Sequence, residues 1–179
     1  MVRFLHNVQE YFEASVWEAD NRRRHRLPDL QTYLRLRDLT GAVKTCFDVY
    51  EVTQGTTLPI DARYDSTLMR MMRLANRAIC WANDLFSVEK ELEQGDFHNL
   101  VVVLQYDVGL RPRDAVQEAV RMHDDAVRSF ECCEQRMIQN GISPEVERFV
   151  AALKGWMRAN LDWSSETGRY EHIDCFVDD

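Results

Sequence analysis

No apolar run in this chain approaches the roughly 20 residues that a membrane-spanning helix needs; the longest lies around Leu100 to Leu104. The N-terminal stretch carries Glu10, Glu13 and Glu18 and lacks the layout of a signal peptide. Positive charge is short too, with 22 Lys and Arg against 30 Asp and Glu and a net charge of -8. Neutralising a nucleic-acid backbone needs a basic face, so nucleic-acid binding is argued against. An anionic small substrate needs local cations or metal ions to offset this overall field. The five cysteines (Cys46, Cys80, Cys132, Cys133 and Cys175) are odd in number and form no CxxC pair. They fit a reduced cytoplasmic setting better than a disulfide framework. Repeats, low-complexity tracts and strand-like alternation are missing. What remains is one all-α domain over residues 1–179, with hydrophobic content of 45% and charged content of 29%.

The helical reading proceeds segment by segment. Residues 2 to 24 space Phe4, Leu5, Val8, Tyr11, Phe12, Ser15, Val16 and Ala19 as the inward stripe of an amphipathic helix. The basic run Arg22 to Arg26 reads as its solvated end, and Pro28 stops it. Asp29 caps a second helix, expected to continue through about Glu51. Gly55 to Ser66 holds Gly, Thr, Pro and Asp without a helical period and reads as a loop. A long third helix spans about Ser66 to Glu93, with Leu68, Met71, Met72, Ala75, Ile79, Ala82 and Phe86 inward, and Gly95 ends it. Further helices are expected over Asn99 to Val108, Asp114 to Asn140, and from Pro144 to about Thr167. Arg169 and Tyr170 fall in the turn after Gly168.

Chemistry concentrates on the third helix. Asn83, Ser87 and Glu91 are spaced four and four apart, so they fall on one stripe within an arc of about 80°. An amide oxygen, a hydroxyl and a carboxylate are hard donors that suit Mg²⁺, which completes its shell with waters and substrate phosphate oxygens. The end ligands are about 12 Å apart along an ideal axis. Glu91 can lean back toward Ser87, whereas Asn83 must lean forward or the helix must distort. Lys90 stands beside Glu91 as a phosphate partner. The other reading of the triplet is a solvated face.

Three further features converge with that stripe: Arg169-Tyr170, Arg37 with Gly41 one turn later, and Trp163. Asn83-Asp84-x-x-Ser87-x-x-Lys90-Glu91 resembles the second metal-binding motif of the microbial class I terpene synthases. Arg169-Tyr170 resembles their terminal Arg-Tyr pair, and Arg37 their diphosphate-sensing arginine. Gly41 falls where that family breaks a helix and turns a backbone carbonyl toward the reacting carbons, and His98-Asn99 after the metal motif is similar to the family as well. The resemblance covers nearly the whole chain, but only the C-terminal half of the family's domain. It implies a helical bundle of the class I terpenoid synthase type lacking its N-terminal helices. It also implies that Mg²⁺ sits on Asn83, Ser87 and Glu91, that diphosphate is bound by Arg37, Lys90, Arg169 and Tyr170, and that Trp163 faces a carbocation. The substrate it implies is a prenyl diphosphate, by family frequency farnesyl diphosphate. The aspartate-rich motif that belongs upstream of Arg37 is missing; Asp124-Asp125, followed by Ala126, Val127 and Arg128, does not replace it.

Each residue also has a plainer reading. Arg37 could pair with Asp38 or Glu51, Gly41 could serve close helix packing, and Trp163, Phe47, Cys46 and Phe86 could fill the core. His98 and His123 have no partner at ligand spacing. Two other classes stay open for the whole chain: a non-catalytic remnant with a weak Mg²⁺-diphosphate site, and a helical module that pairs with a missing N-terminal half or with a second copy as a homodimer.

Overall fold

A computed structural model describes residues 2–55 and 58–170; Cys175 lies outside the described residues. The chain forms α1 (Val2–Arg24), α2 (Leu30–Thr40), α3 (Val43–Thr53), α4 (Ile60–Arg63), α5 (Ser66–Glu93), α6 (Leu100–Tyr106), α7 (Pro112–Asn140) and α8 (Pro144–Glu166), then a 3₁₀ turn at Gly168–Tyr170. The described residues contain no strand and no helix long and apolar enough to cross a membrane.

Helix starts follow local chemistry. Asp29 accepts the Thr32 N–H at 2.8 Å to open α2. Asp65 accepts the Leu68 N–H at 2.8 Å to open α5. Asn99 accepts from Val101 to open α6, and Ser143 caps α8 with Pro144 at its first position. Each such side chain satisfies an amide that has no partner within the helix.

The expected helix from Asp29 to Glu51 is two helices. The chain leaves α2 at Gly41 and turns through Ala42, whose φ of 55° is left-handed, before α3 begins. The apolar periodicity runs on across the break, so periodicity alone could not show it. A Cβ on Gly41 would lie 2.2 Å from the Cys80 sulfur. Packing α2 against α5 therefore requires glycine at the end of α2, and the chain turns one residue later. The Gly55–Ser66 segment, expected as loop, contains the single helical turn α4.

Helix α5 is central, touching α2, α3, α4, α6, α7, α8 and the terminal turn. Around it pack Tyr33, Phe47, Phe130, Phe149 and Leu153, none more than 1% exposed. Burying each large side chain contributes about 1.5–3 kcal/mol. Helix α1 departs from expectation: its buried residues are Ala14 and Asn21, whereas Leu5, Phe12 and Val16 are 57%, 61% and 69% exposed. It is held by polar ties, Arg3 to Asp48 and Glu51, Lys44 to Glu10 at 3.1 Å, and Arg22 to Asp96 at 2.5 Å. Phe4, Val8, Tyr11 and Phe12 of α1 instead line an open groove of about 530 Å³ with Cys46, Val49 and Tyr50 of α3 and Trp156 of α8.

Candidate functional site

The site grows from the crossing of α2 and α5. Tyr33 and Arg37 share a face of α2, four residues apart, and both meet Asp84, which has no exposed surface. Arg37 bonds Asp84 Oδ1 through Nε at 3.0 Å and through Nη2 at 2.7 Å. Asp84 Oδ2 accepts from the Tyr33 hydroxyl and from the Leu100 amide at 3.1 Å. Neither Asp38 nor Glu51 pairs with Arg37: Asp38 binds Arg77 at 3.2 Å, and Glu51 binds Arg3 and Arg63. Burial lowers the affinity of the Arg37 guanidinium for its proton, but the Asp84 charge outweighs this and holds the pKa well above its ordinary value. Burial and Asp84 likewise push the Tyr33 phenol well up.

Arg37 Nη2 also donates to Asn83 Oδ1 at 3.1 Å, and Asn83 Nδ2 donates to the Tyr170 hydroxyl at 2.9 Å. Three of the expected site residues thus form one chain of hydrogen bonds, Arg37–Asn83–Tyr170. The ring of Trp163 meets Tyr170 edge-on at 6.0 Å, and the Arg169 guanidinium lies 5.8 Å from the Tyr170 ring centre. Trp163 is 49% exposed, so it does not fill the core. Lys90 is half-buried and makes no ion pair among the described residues. Gly41 lies against Cys80, and among the described residues no hydrogen-bond donor meets its carbonyl.

Further along the stripe, Ser87 is 3% exposed, and its hydroxyl oxygen has no hydrogen-bond partner among the described residues. A buried hydroxyl without a partner is costly unless something binds it. Glu91 Oε2 accepts from Asn99 Nδ2 at 2.9 Å. Burial pushes the Glu91 carboxyl above its usual range, against the opposing Asn99 bond. Among the described residues no three His, Cys, Asp or Glu side chains cluster as a metal site. A metal on this stripe must therefore use the mixed amide, hydroxyl and carboxylate set. Hard donors together with the unpartnered Ser87 oxygen fit Mg²⁺.

A family model described as terpene synthase family 2, C-terminal metal binding, matches residues 1–129. The chain belongs to the terpene synthase family. It is 31% identical to the (+)-eremophilene synthase of Sorangium cellulosum over 98% of this chain and 53% of that protein. It is 36% identical to the (+)-T-muurolol synthase of Roseiflexus castenholzii, covering 94% of this chain and 52% of that one. Among solved structures it superposes on the 2-methylisoborneol synthase of Streptomyces coelicolor in complex with Mg²⁺ and geranyl-S-thiolodiphosphate, with TM-score 0.84, 28% identity, and coverage of 94% and 53%. The chain spans about half the length of the terpene synthases it matches.

Three residues beside the expected ligands carry no distinct signal of a role in the sequence: Asp84, Asn99 and Glu18. Asp84, next to Asn83 in sequence, anchors Arg37. The only hint of it is spacing, since Cys80, Asp84 and Val88 are spaced by four and place a carboxylate between two apolar positions. Asn99, next to His98, meets Glu91. Glu18 on α1 is the third: burial raises its carboxyl pKa, and Thr40, Arg37 and His98 oppose that rise. Nothing in the α1 pattern distinguishes it from Glu10 or Glu13. His98 is structural, 3.3 Å from the Asn21 amide and 3.1 Å from Asp96.

Proposed function

We propose that this chain supplies the metal-and-diphosphate side of a terpene cyclase that ionises a prenyl diphosphate, farnesyl diphosphate by family frequency, and closes the resulting cation into a ring. The observation that supports the reading most is the Arg37–Asn83–Tyr170 chain beside the unpartnered Ser87 hydroxyl. It joins the two expected anion-binding elements to the first expected metal ligand.

In this reading Asn83, Ser87 and Glu91 hold Mg²⁺, which supplies charge stabilisation of the departing diphosphate when bound. Arg37 and Tyr170 stand ready to exchange their Asn83 bonds for diphosphate oxygens, and the guanidinium suits that anion through bidentate geometry. Exposed Arg169 and half-buried Lys90 add donors from the rim. The carbonyl of Gly41, which meets no donor among the described residues, and the π-face of Trp163 both present negative potential to an allylic cation. The open apolar groove along α1 and α3 is the seat we assign to an aspartate-rich N-terminal half. That half would also exclude the water that quenches a cation. The odd number of cysteines without a CxxC pair supports a cytoplasmic setting for this reading.

The test is incubation with farnesyl diphosphate and Mg²⁺. Released diphosphate is assayed, and hydrocarbon products are read by gas chromatography–mass spectrometry. Mg²⁺-dependent release that Glu91→Gln abolishes supports the cyclase reading. Diphosphate binding without any release supports a non-catalytic remnant.

A further inference from the structure

We infer that Asn99 is a positioning residue for the Glu91 carboxylate, acting from outside the stripe on which the metal reading places the ligands. The inference rests on that reading. Asn99 has no exposed surface, and every polar atom of its side chain is committed. Its Nδ2 donates to the Asp84 backbone carbonyl at 2.7 Å and to Glu91 Oε2 at 2.9 Å. Its Oδ1 accepts the Val101 N–H at 2.9 Å. The network fixes the amide's orientation, because two acceptors face its nitrogen and a donor faces its oxygen.

The consequence for Glu91 is geometric. A glutamate near the end of a helix explores several rotamers. Here Oε2 is tied to an amide that is itself anchored to α5 through the Asp84 carbonyl and to α6 through the cap. Asn99 leaves Oε1 unengaged, on the side of the stripe that carries Ser87. The Asp84 carbonyl and side chain meet this device on both sides, since Asp84 Oδ2 receives the Leu100 amide at 3.1 Å. Asn99 therefore links the Glu91 ligand to the residue that holds Arg37.

The two tasks also explain the residue type. Serine or aspartate can cap a helix as asparagine does. Serine is too short to reach Glu91, and aspartate has no proton to donate and would face a second carboxylate. Outer-shell partners of this kind typically change metal affinity by about 10–100-fold when removed.

The experiment titrates the 179-residue chain with Mn²⁺ alone and reads the free-ion signal by electron paramagnetic resonance. Melting is followed by circular dichroism. The variants are Asn99→Ser, Glu91→Gln and Ser143→Ala. Ser143→Ala removes the cap of α8 as a purely structural comparison. The expected result is Mn²⁺ affinity weakened about tenfold or more in Asn99→Ser, with Ser143→Ala lowering the melting temperature and leaving Mn²⁺ binding unchanged. Parental affinity in Asn99→Ser, with Glu91→Gln weakened, overturns the inference and leaves the metal reading standing. Equal weakening in Asn99→Ser and Ser143→Ala overturns it too, since Asn99 would then act only through stability. Absence of Mn²⁺ binding by the parent, or binding that Glu91→Gln does not weaken, removes the metal reading and the inference together.

Discussion

A carboxylate without exposed surface needs a partner for each oxygen, and Asp84 has them in Tyr33, Arg37 and the Leu100 amide. Removing its charge leaves the Arg37 guanidinium buried and uncompensated. Breaking one side of such a pair costs about 3–5 kcal/mol. Asp84→Asn is therefore expected to lose several kcal/mol in urea unfolding, and a loss below about 1 kcal/mol would contradict a buried pair. Gly41 gives a second test. The 2.2 Å approach of a Cβ to the Cys80 sulfur predicts that Gly41→Ala destabilises by about 1–3 kcal/mol through overpacking. Because the clash is with one sulfur, Gly41→Ala should cost much less in a Cys80→Ala background. Equal costs in a double-mutant cycle of urea midpoints would show that backbone conformation, not the sulfur, demands glycine. Buried Cys80 has its thiol pKa pushed up to about 12, so it is expected to resist alkylation in the native chain.

Among the elements, α1 is tied at its C-terminal end by Arg22 and Asp96 and by Asn21 and His98. Burial raises the Asp96 carboxyl, but the bonds from His98 and the charge of Arg22 outweigh it and hold the pKa well below the carboxylate range. Its unfolded value is about 3.9. A depressed folded value contributes stability that is present above the unfolded pKa and is lost as pH falls through the folded one. Urea midpoints are expected to fall between about pH 5 and pH 2, and Asp96→Asn should flatten part of that slope. An unchanged slope would mean the carboxylate does not hold α1. Caps and stops were legible in the sequence because they are local: Asp29 and Ser143 act on amides three residues on, and Pro144 presets the first turn of α8. The break at Gly41–Ala42 was legible as a family feature but not from periodicity. The inward face assigned to α1 was wrong as core, because periodicity shows that a face is apolar without showing what covers it.

For the molecule as a whole, the groove of about 530 Å³ along α1 and α3 sits on a chain that matches about half of each relative's length. Phe12 and Val16, more than half exposed, contribute little to folding here. Phe12→Ser, in the groove lining, is expected to reduce binding of a fluorescent apolar dye while shifting the melting temperature by no more than about 2 °C. A large drop in melting temperature would show that this face is core after all. The expected ligand stripe was readable because helical spacing alone aligns Asn83, Ser87 and Glu91. What spacing could not supply were the contacts between distant segments, Asp84 to Arg37 and Asn99 to Glu91, since each depends on how α2 and α6 cross α5. The most direct measurement is isothermal titration of the 179-residue chain with inorganic diphosphate, with and without Mg²⁺, beside Glu91→Ala and Arg169→Ala. Diphosphate binding that requires Mg²⁺ and weakens at least about tenfold in both variants is the predicted result. A chain folded by circular dichroism that binds no diphosphate, or binds it equally in all three proteins, would contradict the account.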